Sequence, residues 1–418
     1  MRHRPTARRF TIESIFAGMH STYWMSMCAF SGFMAVYLAF NGFSDALIGL
    51  TASAISLITI IFQLSVSSFS DRHPHIALKK IITLIYLGIL ALFTTLALVP
   101  LPLVLMLLVY SLAGGFISGM PGLYNAQIIQ FVNAGLPLNL GWPRGVSALV
   151  YAIFAYFLGL LLESYQVSIL MPISLVCIVA AVVLVLVMPR PEQLVDDEPI
   201  QALAMPLPKT SLRQLLGASR VMQVFLLSAV FMSAGQSNMM LFLARVVQSR
   251  GGGEAALGLA MFLQAGMEMP AMFLTPALMR RFRPRAILSF AVFSYFIKAL
   301  IIHLSSGMGG VYAAMAYSVF CFGLYGITSV YFVNGIVHQN ERVRAQSLVT
   351  ASGALSAIIS NSAAGWVVQR HGINTLNLIC VILQAIAAVL MVYCAYLHLQ
   401  SEKAQRTDAA LPFPLKLS

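Results

Sequence analysis

Charge is what this chain lacks. Of its 418 residues, 9% are Asp, Glu, Lys or Arg and 59% are hydrophobic, where an average soluble domain is about 25% charged. So little charge cannot screen that much apolar surface from water, so most of the surrounding solvent is lipid. Acidic residues are scarcest, 13 against 25 Lys and Arg, which leaves a net charge of +12. A basic surplus can serve nucleic acid, but here it is dispersed as a membrane-topology signal with affinity for anionic lipid, so no nucleic-acid partner is expected. The cysteines (Cys28, Cys177, Cys321, Cys380 and Cys394) fall inside apolar stretches without metal-ligand spacing. They read as packing residues rather than disulfides or a zinc site. No Gly-x-x-x-x-Gly-Lys-Ser/Thr segment is present, so ATP is not expected to drive the protein. The basic start lacks a short apolar core with a small-residue cleavage site, so the first helix is expected to stay as an anchor. His3, His20, His73, His75, His303, His338, His371 and His398 are scattered. They supply no nucleophile–base pair or metal cluster at one depth. An enzyme is therefore not expected, nor a cofactor or metal.

What the chain has is apolar length. Stretches long enough to span a bilayer lie near 13–40, 46–69, 80–98, 101–133, 145–163, 167–188, 217–245, 256–278, 287–305, 309–336, 345–368 and 372–397. Basic residues occupy every second gap: Arg2, Arg4, Arg8 and Arg9; Arg72, Lys79 and Lys80; Arg144; Arg190, Lys209, Arg213 and Arg220; Arg280, Arg281, Arg283 and Arg285; Arg342 and Arg344; Lys403, Arg406 and Lys416. The other gaps hold only Arg245, Arg250 and Arg370. Basic loops stay in the cytoplasm, so an even number of spans with both termini cytoplasmic is expected, in a plasma or bacterial inner membrane. The stretches near 101–133 and 309–336 are long and hold Gly114, Gly115, Gly119, Pro121, Gly323 and Gly326. Tilt, a kink or a projecting end would each explain them.

The one substantial polar linker, 189–216, carries five prolines with Asp196, Asp197 and Glu198. It divides the chain into an N-terminal unit over 1–188 and a C-terminal unit over 217–398, followed by a tail over 399–418. The units echo each other. Ser44-Asp45-Ala46-Leu47-Ile48-Gly49-Leu50 and Gly253-Glu254-Ala255-Ala256-Leu257-Gly258-Leu259 open the second and eighth stretches, 209 residues apart, half of 418. At that offset Asp71-Arg72 falls on Arg280-Arg281, and Arg144-Gly145-Val146-Ser147 has a further echo in Arg344-Ala345-Gln346-Ser347. The expected fold is an all-α membrane protein, twelve transmembrane helices as two six-helix pseudo-repeats, which is a transporter architecture.

The second gap reads Ser67-Ser68-Phe69-Ser70-Asp71-Arg72-His73-Pro74, then Lys79-Lys80. It resembles the signature loop of the major facilitator superfamily, Gly-x-x-x-Asp-Arg/Lys-x-Gly followed by basic residues, with Ser67 at the first glycine and no second glycine. The resemblance implies that Asp71 and Arg72 latch the two halves in one conformation; read by itself, the segment is a charged turn that sets topology. Within the superfamily the chain resembles the oligosaccharide–proton symporters, sugar efflux transporters and phenylpropionate permeases. That likeness is carried by Ser44–Lys80, by Met120-Pro121-Gly122-Leu123-Tyr124 and by Gln264-Ala265-Gly266-Met267-Glu268-Met269-Pro270-Ala271-Met272.

Ionisable groups at mid-depth cost about 2.5–3.5 kcal/mol when lipid-exposed, so they are expected to face a cavity or pair. Glu268 and Lys298 hold such positions in the C-terminal half. A buried carboxylate favours its neutral form and a neighbouring ammonium its charged form, so the two can form a proton-controlled switch or a structural ion pair. The resemblance adds that the efflux group carries this glutamate and that the lactose-type symporters carry an arginine where Lys298 stands. Arg144 and Tyr151, seven apart, share a helix face; the lactose-type symporters bind sugar with an arginine and an aromatic at this spacing. Arg144 also reads as a topology charge behind Pro143. That group's helix-four glutamate is replaced by Ala126, flanked by Asn125 and Gln127, and its His–Glu coupling pair by Phe322 and Tyr325. A proton would then fall to Glu268. His20 is a proton relay or a packing histidine. Gln236 and Asn238, with Tyr23 and Trp24, line a cavity or join helices by hydrogen bonds. The function expected is secondary transport of a small polar solute, a sugar or oligosaccharide by proton coupling, by a monomer in the lipid bilayer. The alternatives are an aromatic-acid or nucleoside permease and an uncoupled facilitator.

Overall fold

The computed structural model describes residues 4–73, 75–136, 138, 141–189 and 219–410. Among these the chain is helical throughout, in eleven helices long and apolar enough to cross a membrane, or twelve if the bent pair Phe10–Gly32 and Met34–Phe40 is one span. In chain order the helices are α1 (Arg4–Met27), α2 (Met34–Phe40), α3 (Asp45–Arg72), α4 (Leu78–Leu98), α5 (Leu103–Asn133), α6 (Gly141–Ser164), α7 (Leu170–Val187), α8 (Arg220–Leu241), α9 (Leu243–Ser249), α10 (Glu254–Arg281), α11 (Pro284–Leu304), α12 (Met308–Ala316), α13 (Phe322–Ile336), α14 (Arg342–His371) and α15 (Ile373–Ala410). Two start on a capping serine and one on a proline: Ser44 Oγ accepts from Leu47 N at 3.4 Å before α3, Ser219 Oγ accepts from Met222 N at 3.3 Å before α8, and Pro284 opens α11. The predicted linker lies, except for Pro189, outside the described residues, as does the end of the predicted tail.

The 209-residue echo extends to the backbone. The first span breaks at Phe33 (φ −104°, ψ 18°) and the seventh at Phe242 (φ −103°, ψ 18°). Gly42 (φ 82°) and Gly251 (φ 79°) then turn the chain through left-handed conformations that a side chain would strain. All four positions respect the offset. The contacts repeat too: α3 packs on α14 as α10 packs on α6, and α4 packs on α7 as α11 packs on α15. Each of the latter pairs is also tied at its ends. Lys79 Nζ donates to the Leu186 and Met188 carbonyls, at 2.8 and 2.6 Å, where α7 ends. Arg283 and Arg285 reach Glu402 on α15 at 3.1 and 2.6 Å.

The first, seventh and tenth spans are less regular than the apolar stretches imply. The first carries a π turn, Cys28–Gly32, and bends by 49°. Tyr110 of α5 donates to the Phe30 carbonyl in that turn at 2.6 Å and stacks its ring on Phe30, centroids 4.1 Å apart. A carbonyl that the widened turn frees inside a bilayer is thereby paired. The tenth span breaks through a tight turn at Tyr317–Phe320 and an irregular Cys321. The fourth, also long, continues unbroken through Pro121. Along α5, Gly114, Gly115 and Gly119 leave room for Ile55, Ile58 and Phe62 of α3, the small-residue contact by which membrane helices approach closely.

Candidate functional site

The two ends of the bundle differ. At the end away from the basic loops, α3 crosses α14 and α10 crosses α6 through paired glycines. A methyl added at Gly49 would lie 2.9 Å from the Gly365 Cα, and one added at Gly159 would lie 2.8 Å from the Gly258 Cα. Gly49 and Gly258 are 209 apart, so one contact is made twice. Asp45 and Arg245 pair across this end at 2.8 Å, Gln369 Oε1 accepts from Ala46 N at 3.1 Å, and Ser362 donates to Ser53 at 2.7 Å. At the basic end the same two helices part around a vestibule of 620 Å³, lined by Ile60, Gln63 and Leu64 of α3 and by Gln346, Ser347, Thr350, Ala351 and Ala354 of α14, with Asn334 and Arg342.

A second cavity, of 330 Å³, lies along the same helix pair beneath the sealed end. Its lining repeats at the 209-residue offset: Ser31 with Met240, Gly32 with Leu241, Met34 with Leu243 and Ala52 with Met261. The cavity therefore sits between equivalent elements of both halves. The remaining walls are Trp24, Met27, Ile55, Tyr151, Ser237 and Asn361. Trp24 and Tyr151 meet edge to face, centroids 5.9 Å apart at 87°. Ser237 donates to Asn361 Oδ1 at 2.8 Å, so the asparagine's amide NH2 is the end offered to a solute. Among the lining residues none is ionised. A mostly apolar wall with a few placed hydroxyls and one amide is the usual make-up of a small-molecule site.

The sequence-predicted residues separate into groups. Tyr151 and Trp24 line the cavity. Tyr23 is buried behind Trp24 and leads by ring contacts to Tyr124 and on to His20, whose ring lies 5.1 Å from that of Tyr124. His20 is buried and its Nε2 has no partner; Tyr124 also meets Tyr86 hydroxyl to hydroxyl. Arg144 does not join Tyr151 at the cavity. It is exposed two turns nearer the basic end. Asn125 is also exposed, because its stretch of α5 turns Tyr124 and Gln127 inward instead. Gln236 and Asn238 flank the cavity residue Ser237 but point elsewhere, and their side-chain oxygens lack partners. Arg72 ends α3 and is exposed; the Asp71 side chain lies outside the described residues.

Lys298 is wholly buried on α11 and donates to Gln264 Oε1 at 3.0 Å. Glu268, one turn further along α10, lies within electrostatic range of Lys298, Tyr151, Tyr295 and Cys321. Gly323 of α13 packs against the backbone of α10 at Glu268 and Met272, 3.2 Å from the Met272 nitrogen for an added methyl. Ser31, Ser237, Gln264 and Asn361 are the polar residues that sequence reading passed over. Ser31 could have been found, since it precedes Phe33 in a segment whose 209-residue partner ends at Phe242.

Two related sets of membrane helices, a cavity between them and one sealed end define an alternating-access secondary transporter. The chain belongs to the MFS_1 like family of the major facilitator superfamily, whose sequence profile matches residues 16–352. No curated protein matches it. Among solved structures it is similar to the nucleoside transporter NupG, in a point-mutant form (TM-score 0.75, 15% identity, 93% of this chain and 99% of that one) and without that mutation (0.73, 15%, 93% and 98%). It is also similar to a bacterial homologue of the human lysosomal transporter Spinster, inward-facing and unoccupied (TM-score 0.67, 15% identity, 94% and 98%). At these identities the likeness establishes the fold.

Proposed function

We propose that the protein carries a small, uncharged, ring-bearing polar solute across the membrane, with a nucleoside fitting its site better than a free sugar. The observation that carries this is the lining of the 330 Å³ cavity. Trp24, Tyr151 and the methionines offer flat and apolar surface for a base, while Ser31, Ser237 and Asn361 offer hydrogen bonds for hydroxyls. A bare sugar would leave much of that apolar wall uncovered, an oligosaccharide would exceed the space, and an aromatic acid would meet no cation in the lining. The fold likeness to a nucleoside transporter accords with this reading. The conformation is cytoplasm-facing with both termini inside, a reading that the basic loops at the parted end support. The units over 1–188 and 217–398 are the bodies that rock. Glu268 carries the coupling proton. It lies beside the cavity's Tyr151 and in the range of Lys298.

The test is proton flux into proteoliposomes, read by an internal pH dye, as uridine, glucose or a cinnamate is added to wild type and Glu268→Gln. Flux with uridine alone, lost in Glu268→Gln while labelled-uridine exchange persists, is the expected result. Flux with glucose and not uridine would reverse the choice of solute. Unchanged accumulation in Glu268→Gln would remove the glutamate from coupling.

A further inference from the structure

Lys298 is a fully buried cation whose partner is neutral: its ammonium donates to Gln264 Oε1, at 3.0 Å. The ion pairs among the described residues leave Glu268 out. Yet Gln264 and Glu268 stand four apart on α10, so their oxygens occupy the same face one turn apart, and Lys298 lies within electrostatic range of the carboxyl. One ammonium on a flexible four-carbon stem thus faces two acceptors about 5 Å apart along the helix. One acceptor is an amide, the same at every pH. The other is a carboxyl whose attraction for an ammonium depends on its proton.

The alternatives for the ammonium are few. Around Glu268 the titratable groups that face it are Tyr151 from α6, Tyr295 and Lys298 from α11, and Cys321 from the break before α13, with Tyr325 of α13 beside Tyr295. Phenols and thiols are neutral through the physiological range, so none of them competes with the carboxylate. In a medium of low dielectric an ammonium–carboxylate attraction far exceeds an ammonium–amide hydrogen bond. An unpaired buried ammonium is costly. The amide therefore has a use only when the carboxylate is absent.

We infer that Gln264 is the alternate seat of Lys298: the ammonium rests on Gln264 while Glu268 is protonated and moves one turn along α10 to Glu268 when the proton leaves. This rests on Glu268 as the proton carrier. It adds a positioning residue, Gln264, that keeps the lysine satisfied through both halves of the proton cycle, and it assigns the observed arrangement to the protonated state. Without Gln264 the ammonium would stay on the carboxylate, and protonation would require a lower pH.

The test needs no transported solute. The five native cysteines are all buried, so Ala354→Cys, in the wall of the vestibule, is the one readily labelled thiol. Its rate of reaction with a maleimide, divided at each pH by that of a small free thiol so that thiolate formation cancels, is followed against pH in three proteins: the Ala354→Cys parent, that parent with Gln264→Leu, and that parent with Glu268→Gln. The parent is expected to show a sigmoidal pH dependence and Glu268→Gln a flat one. Gln264→Leu is expected to move the midpoint down by about one pH unit, a tenfold change in proton concentration. Gln264→Asn, which keeps an amide, should move it less and reads the same quantity if the leucine variant does not assemble. A flat Glu268→Gln profile with an unmoved midpoint in the Gln264 variants would overturn the alternate seat and leave the glutamate's role intact. A pH dependence that survives Glu268→Gln, or a flat profile in the parent, would overturn the proton role itself.

Discussion

Tyr151 illustrates how much one side chain's position decides. Its ring closes one wall of the cavity against Trp24, and the same residue lies within the field of Glu268. On the proposed function, solute contact and proton binding are then neighbours at one residue. Removing the ring by Tyr151→Ala is expected to weaken the transported solute about tenfold, while Tyr151→Trp keeps most of the affinity, since an aromatic contact is worth about 0.5–1.5 kcal/mol beyond its area. Equal losses in the two variants, read by equilibrium binding, would exclude stacking. Asn361→Ala strands the Ser237 hydroxyl and removes the free amide. A loss of about fivefold is expected for a hydroxylated ligand, and none for its deoxy analogue. Sequence reading reached Tyr151 through its seven-residue spacing from Arg144 and Trp24 as an aromatic residue of the first span. It missed Asn361 and Ser237 because Ser and Asn are common in membrane helices, and only the meeting of α8 with α14 makes these two a pair. Arg144 stands apart from them: seven residues place it on Tyr151's face but also two turns nearer the basic end.

Helices were legible where apolar length alone forms them, and their interruptions were not. Spans such as Leu78–Leu98 and Pro284–Leu304 lie within two or three residues of the stretches that predict them. The break at Tyr317–Cys321 contains neither proline nor glycine, while Pro121, the residue that suggests a break, lies inside a continuous helix. Proline and glycine placement decides neither outcome. The π turn in the first span has a partner from outside its helix, because Tyr110 pairs its carbonyl and stacks on Phe30. Tyr110→Phe keeps the stacking and leaves that buried carbonyl bare, which costs about 1–3 kcal/mol. A lower melting temperature in detergent is the expected result. An unchanged melting temperature would show that another donor takes over the carbonyl. The partner break at Phe242 was within reach of the 209-residue comparison, which already aligned Asp45 with Glu254. The fold repeats that offset at Phe33, Gly42 and Gly49 as well.

At the scale of the molecule, duplication gives a nearly symmetric seal that charge then makes unequal. The glycine crossings at Gly49–Gly365 and Gly159–Gly258 are equivalent. The acids beside them are equivalent too, Asp45 and Glu254, but among the described ion pairs only Asp45 has a basic partner across the halves, Arg245. At the 209-residue offset Arg245 corresponds to Val36, which lines a small gap together with Glu254. Opening this end thus breaks one such ion pair on the α3 side and none on the α10 side. The pair is partly exposed, with side chains 31% and 19% accessible, so its weight is modest, about 0.2–1 kcal/mol, or up to about fivefold in the balance between sealed and open. Asp45→Asn and Arg245→Gln should each raise, by up to that factor, the labelling of Ser31→Cys by an impermeant maleimide added on the face opposite the basic loops. The charge swap Asp45→Arg with Arg245→Asp should return labelling towards the parent. Replacing Gly258 by Leu should raise it far more, because the backbones can no longer meet and no side-chain rearrangement relieves that contact. If the charge variants and the leucine variant gave equal labelling, the ion pair would weigh as much in the closure as the glycine crossing, and the near-symmetric backbone seal would not by itself hold the state that is parted at the basic end.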